Sequence, residues 1–254
     1  MNDEYLRTWI GSTTPDRIRI AGRDLTDDVM GNMTLTELAF LLITHRDPTG
    51  GERRILDAVL VSLADHGLTP SALAARLTYT GAPESVQGAV AAGLLGAGSV
   101  FLGPAGDTAQ FLADILAAGG DGDRETAARE AVEALVLAGR RVPGLGHPVH
   151  RDGDPRTARL YQLAKEEGLL GPHLRLLAVV ADVYAQLTGK RLPINGAGAG
   201  GAALTDVGIP PTSVRGFVLI ARTAGLVAHL AEEAAQPIGM PLWLEVERRA
   251  GPES

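Results

Sequence analysis

The run Gly144-Leu145-Gly146-His147-Pro148-Val149-His150-Arg151-Asp152-Gly153-Asp154-Pro155-Arg156 brings a histidine and an arginine together across one tight turn. Two glycines let the backbone come close around His147, and Asp154-Pro155 signals the start of a helix that carries Arg156. Histidine exchanges a proton near neutral pH, and a guanidinium grips a carboxylate through two parallel hydrogen bonds. One reading of the pairing is chemistry on an anionic, carboxylate-bearing small molecule. The other is a helix-helix turn with a buried, satisfied histidine. Spacing alone supports both.

Further residues of the same kind lie elsewhere. His66 ends an apolar segment in Ala64-Asp65-His66-Gly67, and His229 follows Arg222 by seven residues, which puts the two on roughly one helix face. The histidines are scattered in sequence and no H-E-x-x-H pattern occurs, so no metal is expected. Arg222 sits in the apolar stretch Ile220-Ala221-Arg222-Thr223-Ala224-Gly225-Leu226, where it has to be paired or to reach out to solvent. Its partner is either Glu232 or Glu233, as a structural ion pair, or a substrate carboxylate that it shares with Arg156. Two glycine-rich runs, Gly93 to Gly106 and Asn195 to Gly201, read as turns. They match neither G-x-G-x-x-G nor G-x-x-x-x-G-K-[ST], which argues against dinucleotide and P-loop sites. Either they offer backbone N–H groups to an anion or a thioester oxygen, or they are crossings that need small residues. No G-x-S-x-G elbow is present for a serine hydrolase.

The elements that must position these residues are helical. Aromatics make up only 4% of the 254 residues, and alanine, leucine and glycine dominate, which favours closely packed helices. Arg17 to Ile20 alternates as one short strand. Thr34-Leu35-Thr36-Glu37 is a capping box, and helices are expected over Glu52 to Ala64, from Thr69-Pro70 to Gly81, and from Pro83. More follow over Asp107 to Ala118, Arg124 to about Ala138, Pro155 to near Gly168, Pro172 to Gly189, and Ser213 to Ala235 before Pro237, with an exposed loop at Gly119-Gly120-Asp121-Gly122. A net charge of −7 with no dense lysine-arginine cluster argues against nucleic acid. The absence of cysteine excludes disulfides and thiolate chemistry. The acidic, polar start MNDEYLRTW shows no secretory signal, and no apolar stretch reads as a membrane span, so a cytoplasmic protein is expected.

Taken in order, four motifs resemble the citrate synthase superfamily: Ala64-Asp65-His66-Gly67, the Gly144 to Arg156 run, Leu192-Pro193-Ile194-Asn195, and Ala221-Arg222-Thr223-Ala224-Gly225-Leu226-Val227-Ala228-His229. The resemblance covers almost the whole chain. It is nearest to stand-alone citryl-CoA lyases and to the citrate-synthase-like module of ATP-citrate lyase. It implies an all-α fold with a large and a small domain: residues 1-140 as the N-terminal part of the large domain, 141-205 as a small-domain-like region bearing the His147 turn, and 206-254 as a C-terminal helix returning to the large domain. It implies a homodimer, and cleavage of citryl-CoA or a related 3-hydroxy-3-carboxyacyl-CoA to acetyl-CoA and a 2-oxo acid such as oxaloacetate. Coenzyme A enters as part of the substrate, with no metal. His147 is expected at the oxygen of the breaking carbon, assisting proton transfer, and His66 at a carboxylate or the same oxygen. Arg156, Arg222 and Asn195 are expected to bind the dicarboxylate, and Arg151 to reach the phosphates of CoA. The family's synthases carry a catalytic histidine near Gly106 that is missing here, as it is in the lyases. The family's proton-transferring aspartate falls at Ala197. Asp107 is the first candidate to replace it. A related condensing enzyme, or a non-catalytic binder of acyl-CoA or dicarboxylate, are the alternatives.

Overall fold

The computed structural model describes residues 8–119 and 124–251. The start of the chain and most of the Gly119 to Gly122 loop lie outside the described residues. The alternation at 17–20 forms β2 (Arg17–Ile20), between β1 (Gly11–Thr14) and β3 (Arg23–Asp24) in an antiparallel sheet of order β1-β2-β3. Two strands are therefore added to the one expected. Ala21 and Gly22 both have positive φ, the twist that a two-residue hairpin needs.

From Thr34 onward the described chain is helical. Thr34 and Thr49 each close a capping box, with Glu37 and Glu52, and start α1 (Leu35–Thr44) and α2 (Gly50–Ala64). Proline in the first turn starts α3 (Pro70–Gly81) without a side-chain cap. The hydroxyl of Thr69, the N-cap residue, is buried without a partner among the described residues.

The first glycine-rich run keeps the expected turn only as a kink between helices, and the second is not a turn. α4 (Val86–Leu102) passes through the first, bent at Gly98, and α5 (Pro104–Gly119) follows it at once. The second opens α9 (Gly196–Asp206). Between them run α6 (Arg124–Leu137), α7 (Pro155–Glu166) and α8 (Pro172–Thr188), and α10 (Pro211–Ala235) and α11 (Gly239–Ala250) close the chain. α11 has no counterpart in the sequence reading. Glycine costs a helix interior about 1 kcal/mol relative to alanine, and here close packing offsets that cost. A Cβ on Gly201 would lie 2.1 Å from the carbonyl oxygen of Ala105, and one on Gly198 would lie 2.5 Å from Gly144 Cα. α9 therefore runs through the centre with nearly every residue buried, packed against α5, α8, α7 and α2. Phe40, Leu56, Leu112, Leu177 and Phe217 fill the core around it.

Val86–Gly119 and Pro211–Ala235 are long and apolar enough to cross a membrane by length and composition alone, though glycine and polar residues interrupt both. In the fold, α10 packs against α2, α3, α4, α5 and α9 and carries the buried Glu233, as a core helix does.

Candidate active site

The site is built on one carboxylate. Asp154 caps α7 and accepts from Arg156 N. It also accepts from Arg156 Nε at 3.0 Å and Nη2 at 2.8 Å, and from the N–H of Gly196 at 2.8 Å. Burial alone would raise its pKa; the bonds from Arg156 and Gly196, with the charge of Arg156, outweigh that and hold it at about 2. Asp154 thus ties the His147 turn and α7 to the start of α9. Asn195 makes a second tie. Its Oδ1 accepts from Gly198 N as the cap of α9, its Nδ2 donates to Gly146 O, and its backbone N–H donates to Gly144 O. Each polar end of Asn195 thus makes one bond inside the protein, which leaves one N–H of its amide for a ligand. Gly144 and Gly146 sit at φ 83 and 80, which glycine adopts without steric cost.

Within this frame Nδ1 of His147 accepts the backbone N–H of Val149 at 3.1 Å and of His150 at 3.0 Å. A neutral imidazole that accepts at Nδ1 carries its proton on Nε2. Burial first, then the neighbouring His150 ring and the charge of Arg156, hold its pKa below the ordinary value, which favours that neutral form. The turn therefore presents a hydrogen-bond donor.

The histidines that are scattered in sequence converge in space. His66, in the loop between α2 and α3, has its ring 5.5 Å from that of His147 and 6.0 Å from that of His150, and the last two are 4.5 Å apart. One ring nitrogen from each lies within 4.8 Å of the others. That spacing could span a divalent cation, but the donor set does not fit one. A ligating imidazole gives its other N–H to an acceptor. Ligation through Nε2 of His147 would turn an N–H toward two backbone donors, and ligation through Nδ1 would displace them. The trio does fit a single oxygen atom, which would sit about 2.8 Å from each nitrogen, a hydrogen-bond distance.

α10 adds Arg222, whose side chain is 11% exposed. Its Nε and Nη1 are buried with no hydrogen-bond partner among the described residues. Asp65 Oδ1 lies 3.7 Å from Nη1, an ion pair beyond hydrogen-bond reach. Burial lowers the guanidinium's pKa, Asp65 partly offsets this, and the like charge of Arg156 lowers it further. Glu232 and Glu233, the structural alternative, are bonded to Arg76 instead. The fork of Arg156 is held by Asp154, and its Nη1 makes only a long contact of 3.4 Å to Ser62 O. Arg151 is exposed on the outer lip of the turn, and Ala197 is half-buried one residue into α9. Asp107 is exposed in the first turn of α5, and among the described residues no hydrogen bond or ion pair joins it to the histidines.

Two features escaped the sequence reading. His150 is one; its place inside the same motif was the available signal. The other is a chain of contacts from α3 to Asp65. Arg76, buried in α3, donates to Glu233 and to Nδ1 of His229, and Nε2 of His229 meets Asp65 Oδ1 at 2.8 Å. No local pattern joins residues so far apart in sequence. A hollow between α5 and α6, lined by Phe111, Ile115 and Ala131, contains none of the site residues.

The family description "Citrate synthase, C-terminal domain" matches residues 16–241. The chain belongs to the citrate synthase family. Citryl-CoA lyase from Hydrogenobacter thermophilus has the same all-α fold, with a TM-score of 0.86 at 31% identity over 98% of this chain and 94% of that one. ATP citrate lyase from Methanothrix soehngenii, solved with citrate and coenzyme A, matches 91% of this chain with 39% of its own, at a TM-score of 0.76; at 20% identity this is a likeness of fold. Putative citrate synthase 2 of Mycobacterium tuberculosis is 30% identical over 200 residues, covering 76% of this chain and 51% of its own length. ATP-citrate synthase beta chain protein 1 of Oryza sativa subsp. japonica is 26% identical over 211 residues, 34% of its length. This family member thus spans about half or less of the curated relatives it matches.

Proposed function

We propose that this citrate synthase family protein is a carbon-carbon lyase that cleaves citryl-CoA, or a related 3-hydroxy-3-carboxyacyl-CoA, to acetyl-CoA and a 2-oxo acid such as oxaloacetate. The observation that carries the proposal is Arg222. A buried guanidinium with two nitrogens unpartnered among the described residues, paired loosely with Asp65 beside His66 and within electrostatic reach of Arg156, is built for an anion that completes it. The substrate's carboxylates take the free donors of Arg222 and the open side of Arg156, with His66 beside them. Its hydroxyl oxygen lies among the histidines, and coenzyme A enters as part of the substrate, past Arg151 at the rim. In the cleavage direction the hydroxyl proton leaves, the carbon-carbon bond breaks, and its electron pair becomes the thioester enolate. Nε2–H of His147 donates to the oxygen and stabilises its negative charge as the ketone forms. The names of the similar lyases support this substrate class.

Ala197 favours a second reading. Without a carboxylate there, the same pocket serves a protein that binds acyl-CoA or a dicarboxylate without turnover. Incubation with a panel of citryl-type CoA thioesters, read by mass spectrometry, separates the two. Released acetyl-CoA and 2-oxo acid is the expected result; tight binding without products supports the second reading. We also propose a homodimer. Leu95, Val100 and Phe101 are 82%, 71% and 51% exposed on one stretch of α4, an apolar surface that a partner subunit would cover.

A further inference from the structure

We propose that His150 is the base that removes the substrate's hydroxyl proton, an inference that rests on the lyase reading. His147 is excluded from that role by its own turn. Its Nε2 already carries a proton, and its Nδ1 accepts two backbone N–H groups at 3.1 and 3.0 Å. In the cleavage direction it donates to the oxygen and has no free lone pair for the proton. The acceptor has to come from the two other rings around the same point. His66 stands on the carboxylate side: it is exposed, and it adjoins Asp65, which lies 3.7 Å from Arg222. His150 is half-buried, with its ring 4.5 Å from that of His147 and a ring nitrogen within 4.8 Å of those of both other histidines. One residue thus makes two contributions. The backbone N–H of His150 fixes the tautomer of the donor, and its side chain supplies the base.

The step balances. The O–H bond breaks and its proton passes to the His150 ring. The C–O bond becomes C=O as the carbon-carbon bond breaks and leaves its pair on the enolate. The enolate carbon and the hydroxyl oxygen were attached to the same carbon, so the His150 imidazolium can return the proton to that carbon and form the acetyl methyl. One imidazole then serves for both proton transfers, and a carboxylate at position 197 is not required. The ionisable groups facing His150 are His147 from its own turn, His66 from the loop after α2, and, next to His147, Asp154 and Arg156 from α7.

The test is the pH dependence of citryl-CoA cleavage from about pH 5 to 8, where imidazoles titrate, in wild type, His150→Gln and His66→Gln, with added imidazole for His150→Ala. Side-chain changes at 150 leave its backbone N–H, and so the His147 tautomer, in place. Wild-type kcat is expected to rise through one imidazole inflection. His150→Gln is expected to lose about 10²–10⁴-fold in kcat, with KM little changed and the inflection gone, and free imidazole restores part of the rate to His150→Ala. His66→Gln raises KM and keeps the inflection. His150→Gln with wild-type kcat and inflection overturns the proposal, as does failure of imidazole to rescue a folded His150→Ala. A wild type that cleaves no citryl-type thioester removes the lyase reading itself, and this proposal with it.

Discussion

Replacing Arg222 by leucine is expected to move affinity and stability in opposite directions. Two nitrogens of this guanidinium, Nε and Nη1, are buried with no hydrogen-bond partner among the described residues. Unmet buried donors cost about 1–3 kcal/mol each. Among the described residues its compensation is Asp65 at 3.7 Å, whose side chain is 47% exposed, and a pair of that kind offsets at most about 1 kcal/mol. A leucine that fills part of the space removes the unmet donors, so the ligand-free variant gains about 1 kcal/mol or more by this reckoning. For a chain of this size that raises Tm by roughly 2–4 °C. Binding pays the opposite sign. Removing the charged partner of a buried carboxylate contact costs about 2–5 kcal/mol, or between about 30-fold and several thousand-fold in Kd. Scanning calorimetry of the free protein and titration calorimetry with citrate and oxaloacetate read the two effects separately. Lower stability with unchanged affinity would refute the reasoning and make Arg222 a structural residue. Arg222→Lys keeps the charge but not the planar fork, and is expected to weaken binding as well.

Two further outcomes follow from the same geometry. The Asp154 carboxyl is held at about 2, against 3.8 in an unfolded chain. Its ionised form therefore contributes about 2 kcal/mol to stability, present above about pH 4 and lost as the pH falls toward 2. Urea melts should show Asp154→Asn destabilised by that order at pH 7, with the gap closing at acid pH. With His150 carrying the methyl proton, wild type is expected to exchange the acetyl-CoA methyl protons with deuterated solvent, followed by proton NMR with oxaloacetate bound; His150→Gln is expected to lose that exchange, and Ala197→Asp, which places an acid at the start of α9, to restore part of it in the His150→Gln background.

The part of the site that lies in one local segment was legible from sequence. The glycines around His147, the Asp154-Pro155 helix start and Arg156 all belong to one turn, and their types dictate its geometry. The buried Arg222 was legible as a problem, because an arginine inside an apolar helix needs a partner, but which glutamates were free was not. Arg76 takes both Glu232 and Glu233 from a helix more than 150 residues away in sequence. The glycine runs misled for a related reason. Local propensity makes Asn195 to Gly201 a turn, and only the approach of Ala105 and Gly144 shows why a helix needs those glycines. The convergence of His66 with His147 and His150 depends on how α2 packs beside α7 and α9, which no local pattern records.

The glycines of α9 also decide which parts of the site can move. Where backbone meets backbone, as Gly201 meets Ala105 and Gly198 meets Gly144, no flexible side chain lies between the two to absorb a displacement. α9 and the inner strand of the His147 turn therefore move as one piece with α5. Access for a ligand entering the site falls to the outer elements, the lip at Pro148 to Gly153 and the loop at Asp65 to Leu68. Both are largely exposed, and the site is fixed at its base and adjustable at its rim.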